Sequence, residues 1–146
     1  MSTRIRLFLA ILLLTFASSS FAQDEHAYTE GAVVAISYIK IKPGMFDAYM
    51  SYLQSTYKQI MEEQKKAGLV LNYGIYSAQA RSPSDPDLYL TITYKNWATF
   101  DGLTAKSDAI QSKIWGSLAK SDAAAIDREK MRDVLGGEVV QELILK

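Results

Sequence analysis

The chain of 146 residues contains no cysteine and a single histidine, His26. Without cysteine it forms no disulfide and offers no thiolate nucleophile, iron–sulfur cluster or zinc–thiolate site. One imidazole falls short of the ligands a zinc site takes, and at the polar start of the chain it is poorly placed for a Ser-His-Asp constellation. The residues therefore call for no metal and no cofactor. Long runs of one charge are missing too, since none exceeds two residues. Beyond Ala22 the acidic residues outnumber the basic ones by two, which gives no electrostatic case for nucleic acid or an anionic membrane. Gly136-Gly137 lacks the strand-to-helix setting of a phosphate-binding turn.

One long apolar run is present, at the start of the chain. Arg4 and Arg6 precede an 11-residue apolar stretch, 7–17, and Ser20-Phe21-Ala22 places small residues at −3 and −1 of a cleavage site. This is the layout of a bacterial secretory signal peptide over 1–22. The stretch is shorter than the roughly 20 residues of a membrane span. The expectation is a periplasmic or secreted protein, with no membrane attachment once the signal is removed. A flexible polar leader is expected over 23–31 and one domain over 32–146.

Within the domain, hydrophobic periodicity gives the order of elements. Residues 32–42 read as a strand with apolar residues on both faces: Val34, Ile36 and Tyr38 on one, Val33, Ala35, Ile39 and Ile41 on the other. Pro43-Gly44 ends it. Phe46, Tyr49, Met50, Leu53, Tyr57, Ile60 and Met61 then make one apolar stripe of a helix over 45–66, closed by Lys65, Lys66 and Gly68. A second strand over 69–78, with Gly74 a candidate bulge, and a third over 88–95 form a hairpin around the turn-rich loop 80–87. Asn96 is placed to cap a short helical turn. Helical segments are expected over 107–119 and 121–135, with Gly136-Gly137 stopping the second and a last strand over 138–145. The order β-α-β-β-α-β is the split βαβ pattern, an α+β ferredoxin-like antiparallel sheet with helices on one face.

The segment Ile39-Lys40-Ile41-Lys42-Pro43-Gly44-Met45-Phe46-Asp47-Ala48-Tyr49 resembles the opening of the dimeric α+β barrel superfamily, which includes antibiotic-biosynthesis-monooxygenase-like and NIPSNAP-like domains. Tyr94-Lys95-Asn96-Trp97-Ala98-Thr99-Phe100-Asp101 is similar to the junction after their third strand. The long, broken second helical region departs from the single compact helix usual there. The resemblance implies a homodimer in which two sheets face each other, with a monomeric ferredoxin-like domain as the alternative. Its functions range from cofactor-free oxygenases and isomerases to domains without known activity, so it does not carry an activity to this chain.

Nine tyrosines and two tryptophans suit a core and a dimer interface, or a pocket for a small apolar or aromatic ligand. Tyr38, Tyr94 and Trp97 lie at strand ends near helix starts and are candidate ligand contacts. Asn72, between Leu71 and Tyr73, is a candidate for holding a carbonyl or oxyanion. Arg128 and Arg132, four apart in an expected helix, share a face, where a bound anion or the pairs Glu129–Arg132 and Lys130–Asp133 would answer their charge. No residue stands out as a catalytic acid, base or nucleophile. Ligand binding, cofactor-free turnover of a phenolic or quinol-like substrate, and a structural module with every aromatic packed all remain open.

Overall fold

The computed structural model describes residues 26–146, so the expected signal peptide and the first leader residues lie outside the described residues. The elements are β1 (Tyr28–Ile41), α1 (46–66), β2 (Asn72–Ser77), β3 (Leu88–Tyr94), a 3₁₀ turn (Trp97–Phe100), α2 (Leu103–Trp115), α3 (Leu118–Glu129) and β4 (Arg132–Leu145). The sheet order is β2-β3-β1-β4 and every pairing is antiparallel. This is an α+β ferredoxin-like fold.

The structure corrects the sequence expectations at four places. First, Tyr28 to Gly31, expected in the leader, belong to β1, because β4 runs to Leu145 and pairs with it there (Tyr28 with Leu145, Thr29 with Ile144). Second, Gly74 is not a bulge. The β2–β3 register is unbroken, and the missing side chain makes room for the Tyr76 ring. Third, the helical boundaries move. Leu103–Trp115 begins earlier than 107, and the next helix begins at Leu118 instead of 121, capped by Ser117, which accepts from the Lys120 N–H. Fourth, that helix ends at Glu129 instead of Leu135. Arg132 to Leu135 enter β4 instead, because β1 offers a free edge and Val134, Val139 and Val140 suit a strand.

Gly136-Gly137 consequently lies inside β4 and stops no helix. Ile39 pairs with Val134 but Tyr38 with Gly136, so Leu135 is the extra residue of a bulge, and Gly136 takes a φ of 150°. The bulge inverts the side-chain alternation beyond it. Arg132 and Val134 pair with Ile41 and Ile39 on the helix-covered face, whereas Glu138 and Val140 pair with Ile36 and Val34 on the open face.

The core lies between sheet and helices. Ile39, Leu88 and Leu90 pack on Tyr49 and Leu53 of α1, and Val33 packs on Val70 and Tyr94. Helix α1 is continuous but contains a π turn at Leu53–Tyr57, which shifts the helical phase of residues 58–66.

The loop before β3 is tied down by acids. Asp87 accepts from Lys40 Nζ (2.9 Å) and the Ile41 N–H (2.8 Å), and Asp85 accepts from the Arg81 and Ser82 N–H groups. Partial burial works against the Asp87 charge, but the Lys40 hydrogen bond, the Ile41 N–H and the Lys40 charge outweigh it and hold the carboxyl below its usual value. A lowered folded pKa stabilises the fold above the unfolded carboxylate value, about 4, and that contribution is lost as pH falls through the folded value. Asp87→Asn is therefore expected to lower the urea midpoint at neutral pH and to reduce the loss of stability below about pH 4. It should not abolish that loss, because the backbone N–H of Arg81 and the Ser82 groups lower Asp85 in the same direction. Equal midpoints for both proteins at pH 7 would refute this.

Candidate functional site

Helix α1 supplies one wall of a cavity of about 260 Å³ between sheet and helices. Tyr49 and Tyr52 precede its π turn, Tyr57 ends that turn, and Ile60, Met61 and Gln64 come after it. The sheet supplies an apolar floor from Ala35, Ile39, Leu90, Ile92 and Val134, with Ser37 beside it. Gln111 of α2, Arg128 of α3 and Arg132 of β4 complete the lining.

The two arginines meet here, though not for the reason their spacing suggested. They do not share a helix face. Arg128 is in the last turn of α3 and Arg132 is the first residue of β4. The chain reverses at Lys130-Met131, where the Lys42 N–H donates to Met131 O (3.0 Å) and Lys42 Nζ to Glu129 O (2.6 Å). Arg128 then lies over the Tyr52 ring and Arg132 over the Tyr49 ring, at 5.3 and 5.7 Å from the centroids. The expected pairs Glu129–Arg132 and Lys130–Asp133 do not form. Lys130 pairs with Asp127 and Asp133 with Lys42, and among the described residues no carboxylate lies within ion-pair distance of Arg128 or Arg132.

Hydrogen bonding on the far side is nearly closed. Gln64, buried, donates to Ser107 Oγ (3.2 Å), as does Gln111 (3.3 Å), and Gln111 accepts from Ser121 Oγ (2.9 Å). The Tyr57 hydroxyl and Arg132 Nε, by contrast, are buried with no protein partner. Burial pushes the Tyr57 phenol far up, and it raises Tyr49 and Tyr52 against the opposing charges of Arg132 and Arg128. All three phenols stay protonated at neutral pH and can donate. The described lining contains no carboxylate or imidazole to take a proton. The arrangement is built to hold a hydrogen-bond acceptor over an apolar floor.

The remaining candidates are dispersed. Tyr94 is in the core against Val33, Val70 and Phe100, its ring 4.8 Å from that of Phe100. Trp97 is exposed and donates to Gln141 Oε1 (2.9 Å), while Asn96 at its N-cap bonds the Thr99 hydroxyl instead of a backbone N–H. Asn72 is exposed on β2, opposite Thr93. Tyr38 is on the open sheet face, where it donates to Glu138 Oε1 (2.5 Å) and meets the Tyr89 ring edge-on. That bond and some burial raise its pKa. With Ile36, Tyr76, Tyr89, Pro86 and Leu135 it lines a shallow groove of about 480 Å³. His26 is exposed and stacks on Tyr28.

The sequence does not single out Tyr52, Gln64 or Gln111, and its periodicity places Tyr49 and Tyr57 in the core stripe. One signal is available: Gln64 continues the apolar stripe of α1, and a polar residue in register with core positions marks a polar site within the core.

Among the described residues, no group of three or more His, Asp or Glu side chains could hold a metal, and no helix is long and apolar enough to cross a membrane. No model of a known family and no curated protein matches the sequence. Among solved structures, the chain is similar to HapK from Hahella chejuensis, with 15% identity and a TM-score of 0.51 over 75% of this chain and 91% of that one. A dimeric ferredoxin-like protein from an uncultured marine organism aligns at 12% identity and a TM-score of 0.44, over 81% of this chain and 96% of that one. The likeness to HapK shows the fold alone.

Proposed function

We propose that this is an exported homodimeric α+β barrel protein that binds a small apolar or aromatic ligand between its sheet and helices. The observation that carries the binding reading is the cavity: an apolar floor, walls of Tyr49, Tyr52 and Tyr57, and a few convergent polar groups. Its volume suits a one- or two-ring molecule, since a protein interior fills about three quarters of its space. Binding is favoured over turnover because the described lining donates hydrogen bonds but holds no ordinary base.

Two observations support the dimer. The open sheet face carries Val34, Ile36, Tyr38, Tyr76, Tyr89 and Val140, and among the described residues no helix covers it. The edge strand β4 exposes Val134, Leu135, Val139, Val140, Leu143 and Ile144, an apolar edge of a kind that soluble monomers blunt with charge. A second copy, sheet facing sheet, covers the open face. Export rests on the layout of residues 1–22.

Native mass spectrometry on periplasmic extract reads these features together, with a chain beginning at or near Gln23, a dimer mass and any retained small molecule. The cavity itself is tested with 2-naphthol as a fluorescent two-ring ligand. Ala35 is on the floor, and Ala35→Leu fills the space above it. The wild type is expected to bind 2-naphthol and the variant to bind at least about tenfold more weakly, a change of about 1.4 kcal/mol. Unchanged binding by a folded Ala35→Leu protein would place the ligand elsewhere.

A further inference from the structure

We infer that the cavity selects ligands with an acidic group, namely small one- or two-ring carboxylates, gripped by Arg132 and Tyr57 with Arg128 alongside. This rests on the cavity-binding reading above and names the class of ligand.

The carrying observation is an imbalance within the wall. Arg128 and Arg132 bring two positive charges to one small cavity, and among the described residues no carboxylate pairs with either. Both arginines are half-buried, and a guanidinium partly withdrawn from water without an anion carries a cost that the rings beneath the cations offset only in part. Arg132 Nε and the Tyr57 hydroxyl are donors left without acceptors, although buried polar groups in folded proteins are normally satisfied. By contrast, the buried carboxamide of Gln64 and that of Gln111 have partners in Ser107 and Ser121. Within this lining the two partnerless groups can thus both donate, and they share a wall with two cations. A neutral carbonyl would accept a bond but leave the charges unanswered. A carboxylate does both, because its two oxygens match the planar donor set of arginine, and a phenol donor can take a further lone pair. The apolar floor of Ala35, Ile39, Leu90, Ile92 and Val134 receives the ring.

Placement strengthens the case. Arg132 reaches the cavity only because β4 begins at this residue and pairs it with Ile41 on the covered face. Tyr57 reaches it from the end of the π turn in α1, a distortion that recurs at functional sites. The start of β4 and the π turn of α1 therefore present these two donors to the same space.

The test uses the purified protein with 2-naphthoate, 2-naphthamide and 2-naphthol, which share a ring system and differ in the headgroup. The wild type is expected to bind the carboxylate about 10- to 100-fold more tightly than the amide, the range for a hydrogen bond to a charged group. Arg132→Met is expected to remove that preference while still binding 2-naphthol, and Arg132→Lys to recover it only in part, since lysine keeps the charge and loses the fork. Thermal unfolding of ligand-free Arg132→Met is expected at or above the wild-type temperature, because the change removes a poorly compensated cation. That separates a binding role from a structural one. Equal binding of acid and amide, or a preference that survives Arg132→Met, would overturn the acid inference and leave the cavity reading in place. Failure of all three ligands to bind would overturn both.

Discussion

Ile36→Glu is expected to turn a dimer into a monomer. Ile36 is near the middle of β1, paired with Thr91 on one side and Glu138 on the other, and it faces the open groove with Tyr38 and Tyr89. In the proposed sheet-to-sheet dimer the groove is covered, and symmetry repeats every substitution in both copies. Each new carboxylate would lose its hydration within an apolar patch, beside a Glu138 of like charge. A penalty of about 4 kcal/mol corresponds to about a thousandfold weaker association. Sedimentation velocity at micromolar concentration should show the wild type at twice the mass of the variant, with matching far-UV circular dichroism. Ser51→Glu on the exposed side of α1 should leave the dimer unchanged. A wild-type monomer, or an Ile36→Glu dimer of unchanged affinity, would remove the barrel arrangement from consideration.

The second large effect concerns the pairing of β1 with β4. A Cβ at Gly137 would stand 2.4 Å from the Ile36 carbonyl oxygen, which is backbone and cannot swing aside. Gly137→Ala must therefore move one strand relative to the other, at a cost of about 3 kcal/mol by comparison with other overpacked interiors. Gly68→Ala is the matched control. There φ is +71° but nothing lies within 4 Å, so only the left-handed backbone is penalised, at about 1–2 kcal/mol. Urea unfolding of both variants should rank Gly137→Ala as the more destabilised, and the reverse order would refute the close approach. Because Gly137 lies beside the bulge that fixes the faces of Arg132 and Glu138, Gly137→Ala is also expected to weaken ligand binding.

The site is partly legible in the sequence. Arg128 and Arg132 stand out as like charges at helical spacing, and they do meet, but through a reversal of the chain at Lys130-Met131. The tyrosines of α1 carry the right period and look like core, because a residue lining a small cavity and one filling a core have the same helical phase. Tyr38, Tyr94 and Trp97 draw attention as aromatic residues near strand ends, and Asn72 as a polar residue between Leu71 and Tyr73. The sheet distributes them over its open face, an exposed edge strand, the core and the surface, and no local pattern distinguishes those four settings.

Periodicity alone determined the first strand, the long helix, the hairpin and their order, because those segments bury faces that only one secondary structure can present. The absence of cysteine and the lone histidine likewise limited the chemistry from composition alone. The tertiary structure decided where α3 ends and β4 begins. Residues 130–135 fit a helix as well as a strand locally, and the choice is made by the free edge of β1, about 100 residues away in the chain. That pairing sets the bulge, the bulge sets the faces of Arg132 and Glu138, and the cavity exists only once α1, α2 and α3 and strands β1, β3 and β4 are in place. Properties that depend on the distance between elements are not encoded in any one element, so the fold could be read from the sequence and the site only in its two arginines.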